Sequence, residues 1–165
     1  MPKIFTYGGW ITFLVLLPNV LAVVLPPRNV PLPKKSPSVL DRIMQIAERV
    51  GQVAAFTIPF FYFVHIKNVA KGTSVLVLMA VLLIVYYVCL IRYAVKAEYR
   101  YFFAPFVLVP IPMAVMPVLY FFCAAYVLGA GYMAVATFVL AVGHVYVTLK
   151  VYARVKSDSP TSTCI

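Results

Sequence analysis

The sequence predicts an all-α integral membrane bundle of five transmembrane helices, and three observations carry that expectation. Of its 165 residues, 64% are hydrophobic and 11% charged, whereas soluble domains run about 45–50% apolar and about 25% charged. The apolar residues fall in five runs bounded by charges or turn formers. The cations crowd into alternate connecting segments. A chain this short has no aqueous core large enough to hide so much apolar surface, so lipid must serve as solvent.

The elements follow in order along a single transmembrane domain, 1–165. The first expected span, 5–26, begins after one lysine. It lacks a small-x-small cleavage pattern and runs into Pro26-Pro27, which marks a retained helix rather than a signal peptide. Residues 25–37 hold five prolines and two lysines, an extended segment with little helix potential. Ser38, with Asp41 three residues later, is similar to a capping box. From there Val39, Leu40, Ile43, Ile46, Ala47 and Val50 share one helical face. Asp41, Arg42, Gln45, Glu48, Arg49 and Gln52 share the other. The pattern predicts an interfacial amphipathic helix over 38–50 that runs into a short second span, 51–66.

The third expected span is 74–93 and the fourth is 102–128. Pro105, Pro110, Pro112 and Pro117 interrupt the fourth, each removing a backbone donor and freeing a carbonyl. Broken helices persist in membranes where protein or a cavity satisfies those groups, which predicts a cavity beside Met113, Met116 and Tyr120. Gly129-Ala130-Gly131 makes a tight turn into the fifth span, 132–153. No internal repeat is evident, so an inverted-repeat transporter is not expected.

Orientation follows from the cations. Eleven of the fourteen Lys and Arg lie in residues 28–49, in residues 92–100 or in the tail from Lys150. Only Lys3, Lys67 and Lys71 lie on the opposite side. The positive-inside rule then places the N-terminus outside and the C-terminus in the cytoplasm of a multi-pass protein of the cell membrane. The net charge of +10 serves topology and anionic headgroups, not nucleic acid. Arg42, Arg49, Arg92, Arg100 and Lys150 form a cytoplasmic edge able to meet a lipid phosphate.

Several chemistries are disfavoured. Asp41, Glu48, Glu98 and Asp158 are the four acids, and all belong to expected cytoplasmic segments, so carboxylate relays within the bilayer are not expected. His65 and His144 are far apart, the three cysteines form no CxxC pair, and no metal or other cofactor is expected. No serine lies mid-span and no Gly-rich phosphate loop appears.

What remains is His144, about 18 Å inward from Tyr132 along a helix and so near the midplane. Ala134, Thr137, Ala141, His144 and Thr148 share a small, polar face. Gly8, Thr12, Val15, Asn19 and Ala22 form a matching stripe on the first helix, with Asn19 at similar depth. Pro18 frees the Leu14 carbonyl beside it. Asn19, His144 and Thr137 are therefore the central candidates for a polar cavity.

Leu17-Pro18-Asn19, Pro26-Pro27-Arg28-Asn29, Glu48-Arg49-Val50-Gly51-Gln52, Pro110-Ile111-Pro112-Met113 and Gly143-His144 resemble a family of small uncharacterised bacterial polytopic membrane proteins. That resemblance implies a bacterial inner-membrane location and no particular activity. Length and span count are also similar to translocator-type tryptophan-rich sensory proteins, although Trp10 is the only tryptophan. The expected function is binding or passage of a small amphipathic molecule or lipid through an intrabundle cavity. The alternatives are an accessory or assembly subunit, with a membrane-protein partner or a second copy, and a lipid-modifying enzyme with His144 as base.

Overall fold

The computed structural model describes residues 7–24, 37–66, 68–96 and 111–158. The protein is all-helical over these residues, apart from one isolated bridge between Tyr7 and Phe63. Its helices are α1 (Gly9–Val24), α2 (Val39–Thr57), α3 (Val69–Lys96), α4 (Pro112–Leu128) and α5 (Gly131–Asp158). A 3₁₀ turn, Ile58–Phe61, follows α2. The proline-rich segment before α2 and the first part of the expected fourth span lie outside the described residues.

Local chemistry explains most of the boundaries. Ser38 caps α2: its hydroxyl accepts from the Asp41 N–H at 3.2 Å, and Asp41 Oδ2 accepts from the Ser38 N–H at 2.8 Å. This reciprocal pair satisfies two donors that a helix start leaves open. Pro59 has no N–H to continue the ladder, so α2 gives way to the 3₁₀ turn and the chain is extended by Tyr62. Helix α4 begins at Pro112, where proline's fixed φ suits a first helical position, after Ile111 in a non-helical conformation. It ends at Gly129 with φ 62°, and the N–H of Ala130 reaches back to the carbonyl of Ala125 at 3.0 Å. That left-handed turn aims the chain directly into α5.

Successive helices run antiparallel. At one end the Gly8 N–H donates to Tyr62 and the His65 N–H donates to Val127, which gathers the start of α1, the end of α2 and the end of α4. At the other end Ile111 packs against Val151 and Tyr152. Pro18 leaves the Leu14 carbonyl without its helical donor, and Tyr87 of α3 supplies a hydroxyl at 2.9 Å. Thr12 similarly donates to Phe56 at the end of α2, 2.9 Å away. Polar side chains thus tie the helices together where the backbone ladder is broken.

The amphipathic stretch runs on from Val39 as one unbroken helix to Thr57. It docks lengthwise on α5, the most extensive helix pairing among the described residues. Two glycines account for this docking. A Cβ on Gly143 would lie 2.5 Å from the Glu48 amide nitrogen, and one on Gly51 would collide with the Leu140 backbone. With only hydrogens at both positions, the two backbones meet.

The buried core lies mainly between α3 and α4, where Met79, Leu82, Tyr86, Cys89 and Leu90 join Val118, Phe121, Ala124 and Ala125 in one cluster. Among the described residues two helices, Val69–Val95 and Gly131–Arg154, are long and apolar enough to cross a membrane. The apolar helices Gly9–Val20 and Pro112–Leu128 are shorter. Although Val69–Val95 is strongly apolar, only 28% of its most apolar window is buried. Val77, Val81, Ile84, Val88, Ile91 and Val95 instead form an exposed stripe at helical spacing.

Candidate functional site

Docking of α2 on α5 brings charged groups together at two levels. At the lower level, Asp41 occupies the first turn of α2 and is 7% exposed. Its Oδ1 accepts from Lys150 Nζ and, at 3.1 Å, from the Tyr146 hydroxyl. Lys150 is the leading reason that the Asp41 carboxyl stays well below the usual carboxylate range. The Ser38 N–H adds to that effect and burial opposes it. Asp41 therefore caps its own helix and latches it to α5.

Two turns further along α2, Glu48 meets His144, with Oε1 2.5 Å from Nδ1. The side chains are 20% and 31% exposed, partly covered but reachable. Glu48 was expected in a cytoplasmic segment with no part in the site, and the structure sets its carboxylate against His144. Glu48 falls on the polar face of an amphipathic pattern; Asp41 and Glu48 of that face meet α5, where Gly51 and Gly143 let the helices close, while Arg42 and Arg49 are exposed.

His144 also lines a partly open cavity of about 240 Å³ to which all five helices contribute residues. Asn19 enters from α1, Gln52 and Phe56 from α2, Tyr86 from α3, Met113 and Phe121 from α4, and Thr148 from α5. The wall is mostly apolar with a few convergent polar groups, the usual composition of a small-molecule site. A second cavity of about 210 Å³, lined by Asp41, Gln45, Tyr146, Lys150 and Arg154, shares Val147 and Val151 with the first. The two are neighbours along α5. A third, of about 260 Å³, lies at the opposite end around His65, Asn68 and Gly129.

The structure places the expected site residues unevenly. Asn19, His144 and Met113 border the same cavity, with the Asn19 amide donating to its own helix at Val15, 2.9 Å away. Thr137 does not reach it: the side chain is fully buried and its hydroxyl donates to Met133 at 2.7 Å. Met116 is buried in the core, and the Tyr120 hydroxyl donates to the Ile11 carbonyl at 3.3 Å. Neither lines the cavity; from α4 it is Met113, Ala114, Pro117, Val118 and Phe121 that do. The Leu14 carbonyl, expected as an acceptor in the polar spot, is taken by Tyr87.

Among the edge cations, Lys150 is held by Asp41 and borders the second cavity. Arg42 and Arg49 are exposed on α2, and Arg92 is half-buried on α3. Arg100 lies outside the described residues. Among the described residues, no three His, Cys, Asp or Glu side chains are close enough together to hold a metal ion.

Sequence reasoning missed Glu48 and Gln52 as site residues. A signal was present in Ala47, Gly51 and Ala55, a small residue at every fourth position on one face of α2. That stripe marks a close helix contact, and Glu48 and Gln52 each follow one of its members directly. Comparison with known proteins returns no matching family model, no matching curated protein and no matching solved structure.

Proposed function

We propose that the chain is a five-span membrane protein, N-terminus outside and C-terminus cytoplasmic, whose cavity binds or passes a small amphipathic molecule. The single observation that carries the binding proposal is the cavity itself. It gathers Asn19, Gln52, His144 and Thr148, polar side chains from three helices, on a wall otherwise built of apolar residues. Such a lining offers an apolar body and a polar head one compartment each.

Membrane residence is supported by the exposed apolar stripe of α3 and by exposed Val135, Phe138 and Val142 on α5. In water that surface would be an aggregation liability; in lipid it is ordinary. If α5 crosses over Gly131–Arg154, α2 crosses with it, because the two pair along their length. His144 then lies about 20 Å from one edge and about 15 Å from the other. Ionisable pairs at such depth mark ligand or proton sites.

Native mass spectrometry of gently extracted protein tests the proposal. A retained small molecule or lipid, lost in Asn19→Leu and Gln52→Leu, supports it. Protein stripped clean under conditions that preserve the fold opposes it.

An accessory-subunit role is the second reading, favoured by the outward face of α2. Arg42 and Arg49 are exposed there beside Ile43, Ile46, Val50 and Val53, and neither arginine has an ion-pair partner among the described residues. A guanidinium at membrane depth calls for a partner. Loss of a co-purifying membrane protein in Arg49→Leu, with the cavity ligand retained, would favour that role.

A further inference from the structure

We propose that the cavity takes an amphipathic amine, held as its ammonium ion on His144 Nε2 and exchanged there against a proton. The proposal rests on the amphiphile-binding cavity described above and names the class of its ligand.

The Glu48–His144 contact fixes which ring nitrogen is available. When Glu48 is ionised its carboxylate only accepts hydrogen bonds, and the 2.5 Å contact to Oε1 then places the ring proton on Nδ1. In the neutral ring Nε2 then carries the lone pair. Among the described residues Nε2 has no hydrogen-bond partner, while His144 lines the cavity. An ammonium N–H entering the cavity can donate to Nε2, with Glu48 behind the ring supplying the opposite charge through Nδ1–H.

Charge balance selects a cation. With one proton on the ring, the Glu48–His144 pair carries a net charge of minus one. That state is costly away from water unless a cation joins it. A proton on Nε2 makes the pair neutral, and so does a bound ammonium ion. A carboxylate ligand would restore the uncompensated negative charge. Phe56, Tyr86 and Phe121 also line the cavity, and aromatic rings favour cations over anions.

The charged surroundings leave this balance in place. On α5, Lys150 lies beyond His144 but is paired with Asp41 of α2. Arg49 of α2 is turned to the exterior. Helix α3 contributes the phenol of Tyr86, and the residues of α1 and α4 that line the cavity are not titratable. In the exchange the Nε2–H bond breaks, the proton leaves to solvent, and the ammonium N–H takes its place without becoming covalent. No other atom moves between partners.

The test is calorimetric binding of dodecylamine, dodecyltrimethylammonium, dodecanol and dodecanoate to the intact detergent-solubilised protein between about pH 6 and about pH 9. Dodecylamine is expected to bind most tightly, ahead of the trimethylammonium cation, which has no N–H to donate. Its affinity should fall as pH is lowered, because a proton and the ammonium ion compete for the same charge site. Measured in two buffers of different ionisation enthalpy, binding on the acid side should release about one proton per amine. Glu48→Gln should abolish the preference for amine over alcohol and the pH dependence, while dodecanol still binds. Amine binding no tighter than alcohol, or tighter at low pH, overturns the amine assignment but leaves the cavity standing. Failure of all four probes removes the cavity reading itself.

Discussion

The two halves of the bundle solve the problem of helix packing in opposite ways. Between α3 and α4 the contact is apolar, with the large side chains Met79, Leu82, Tyr86 and Leu90 in one cluster with Val118, Phe121, Ala124 and Ala125. Between α2 and α5 the side chains at the crossing are removed instead. Gly51 and Gly143 let backbones touch, and the space saved brings Asp41 to Lys150 and Glu48 to His144. The first seam tolerates any apolar residues that fill its volume. The second leaves no room for a substituent at either glycine, since a Cβ on Gly51 or Gly143 would meet the backbone of the partner helix.

The largest expected effect breaks that contrast at its root. Gly143→Leu puts a side chain into the α2 backbone and should destabilise the fold by about 3 kcal/mol or more. It should also abolish retention of the cavity ligand. Resistance to graded denaturation in detergent measures the first, and native mass spectrometry the second. An equally stable Gly143→Leu protein would mean that α2 does not lie against α5.

Next in size is the coupling across the seam. A double-mutant cycle with Glu48→Gln and His144→Gln should give a coupling of about 2 kcal/mol, as for a hydrogen bond to a charged group. The same cycle with Met79→Leu and Phe121→Leu should show no specific charge effect, because neither side chain is charged.

The Asp41 latch adds a pH-dependent contribution. Lys150 and the Ser38 N–H hold the folded-state carboxyl below its ordinary value, so the unfolded chain binds protons more readily than the folded one. The stabilisation is present above about pH 4 and is lost as pH falls below that point. Asp41→Asn should therefore flatten the acid limb of a stability–pH profile while leaving the Glu48–His144 level in place. Both quantities can be followed by thermal unfolding across an acid series.

The smallest expected effect lies in the apolar half. Met116→Leu keeps volume and polarity in the core and should cost less than about 1.5 kcal/mol. Because Met116 does not line the cavity, ligand retention should be unchanged.

The same contrast explains what the sequence made legible. Apolar runs and their terminators show directly in one dimension, so the helical class, Gly129 as a stop and Ser38 as a cap can be read locally. Asn19 and His144 were also legible, as polar residues on small faces at similar depth. Glu48 was not, because its partner is 96 residues away and the charges of α2 alternate as on a water-facing helix. Met116 and Tyr120 looked alike to Met113 in a proline-rich helix. Only the rotation of α4 separates the one that lines the cavity from the two that do not. Pairing decides such matters, and it is set by the Gly51–Leu140 and Gly143–Glu48 approaches.

The most direct test joins the two helices chemically. In a chain with Cys89, Cys123 and Cys164 replaced by alanine, Glu48→Cys combined with His144→Cys should form a disulfide rapidly in native membranes. Glu48→Cys alone should be shielded from a water-soluble maleimide. Free labelling at position 48 from the cytoplasmic side, with no disulfide to position 144, would return α2 to the membrane surface and dissolve the site.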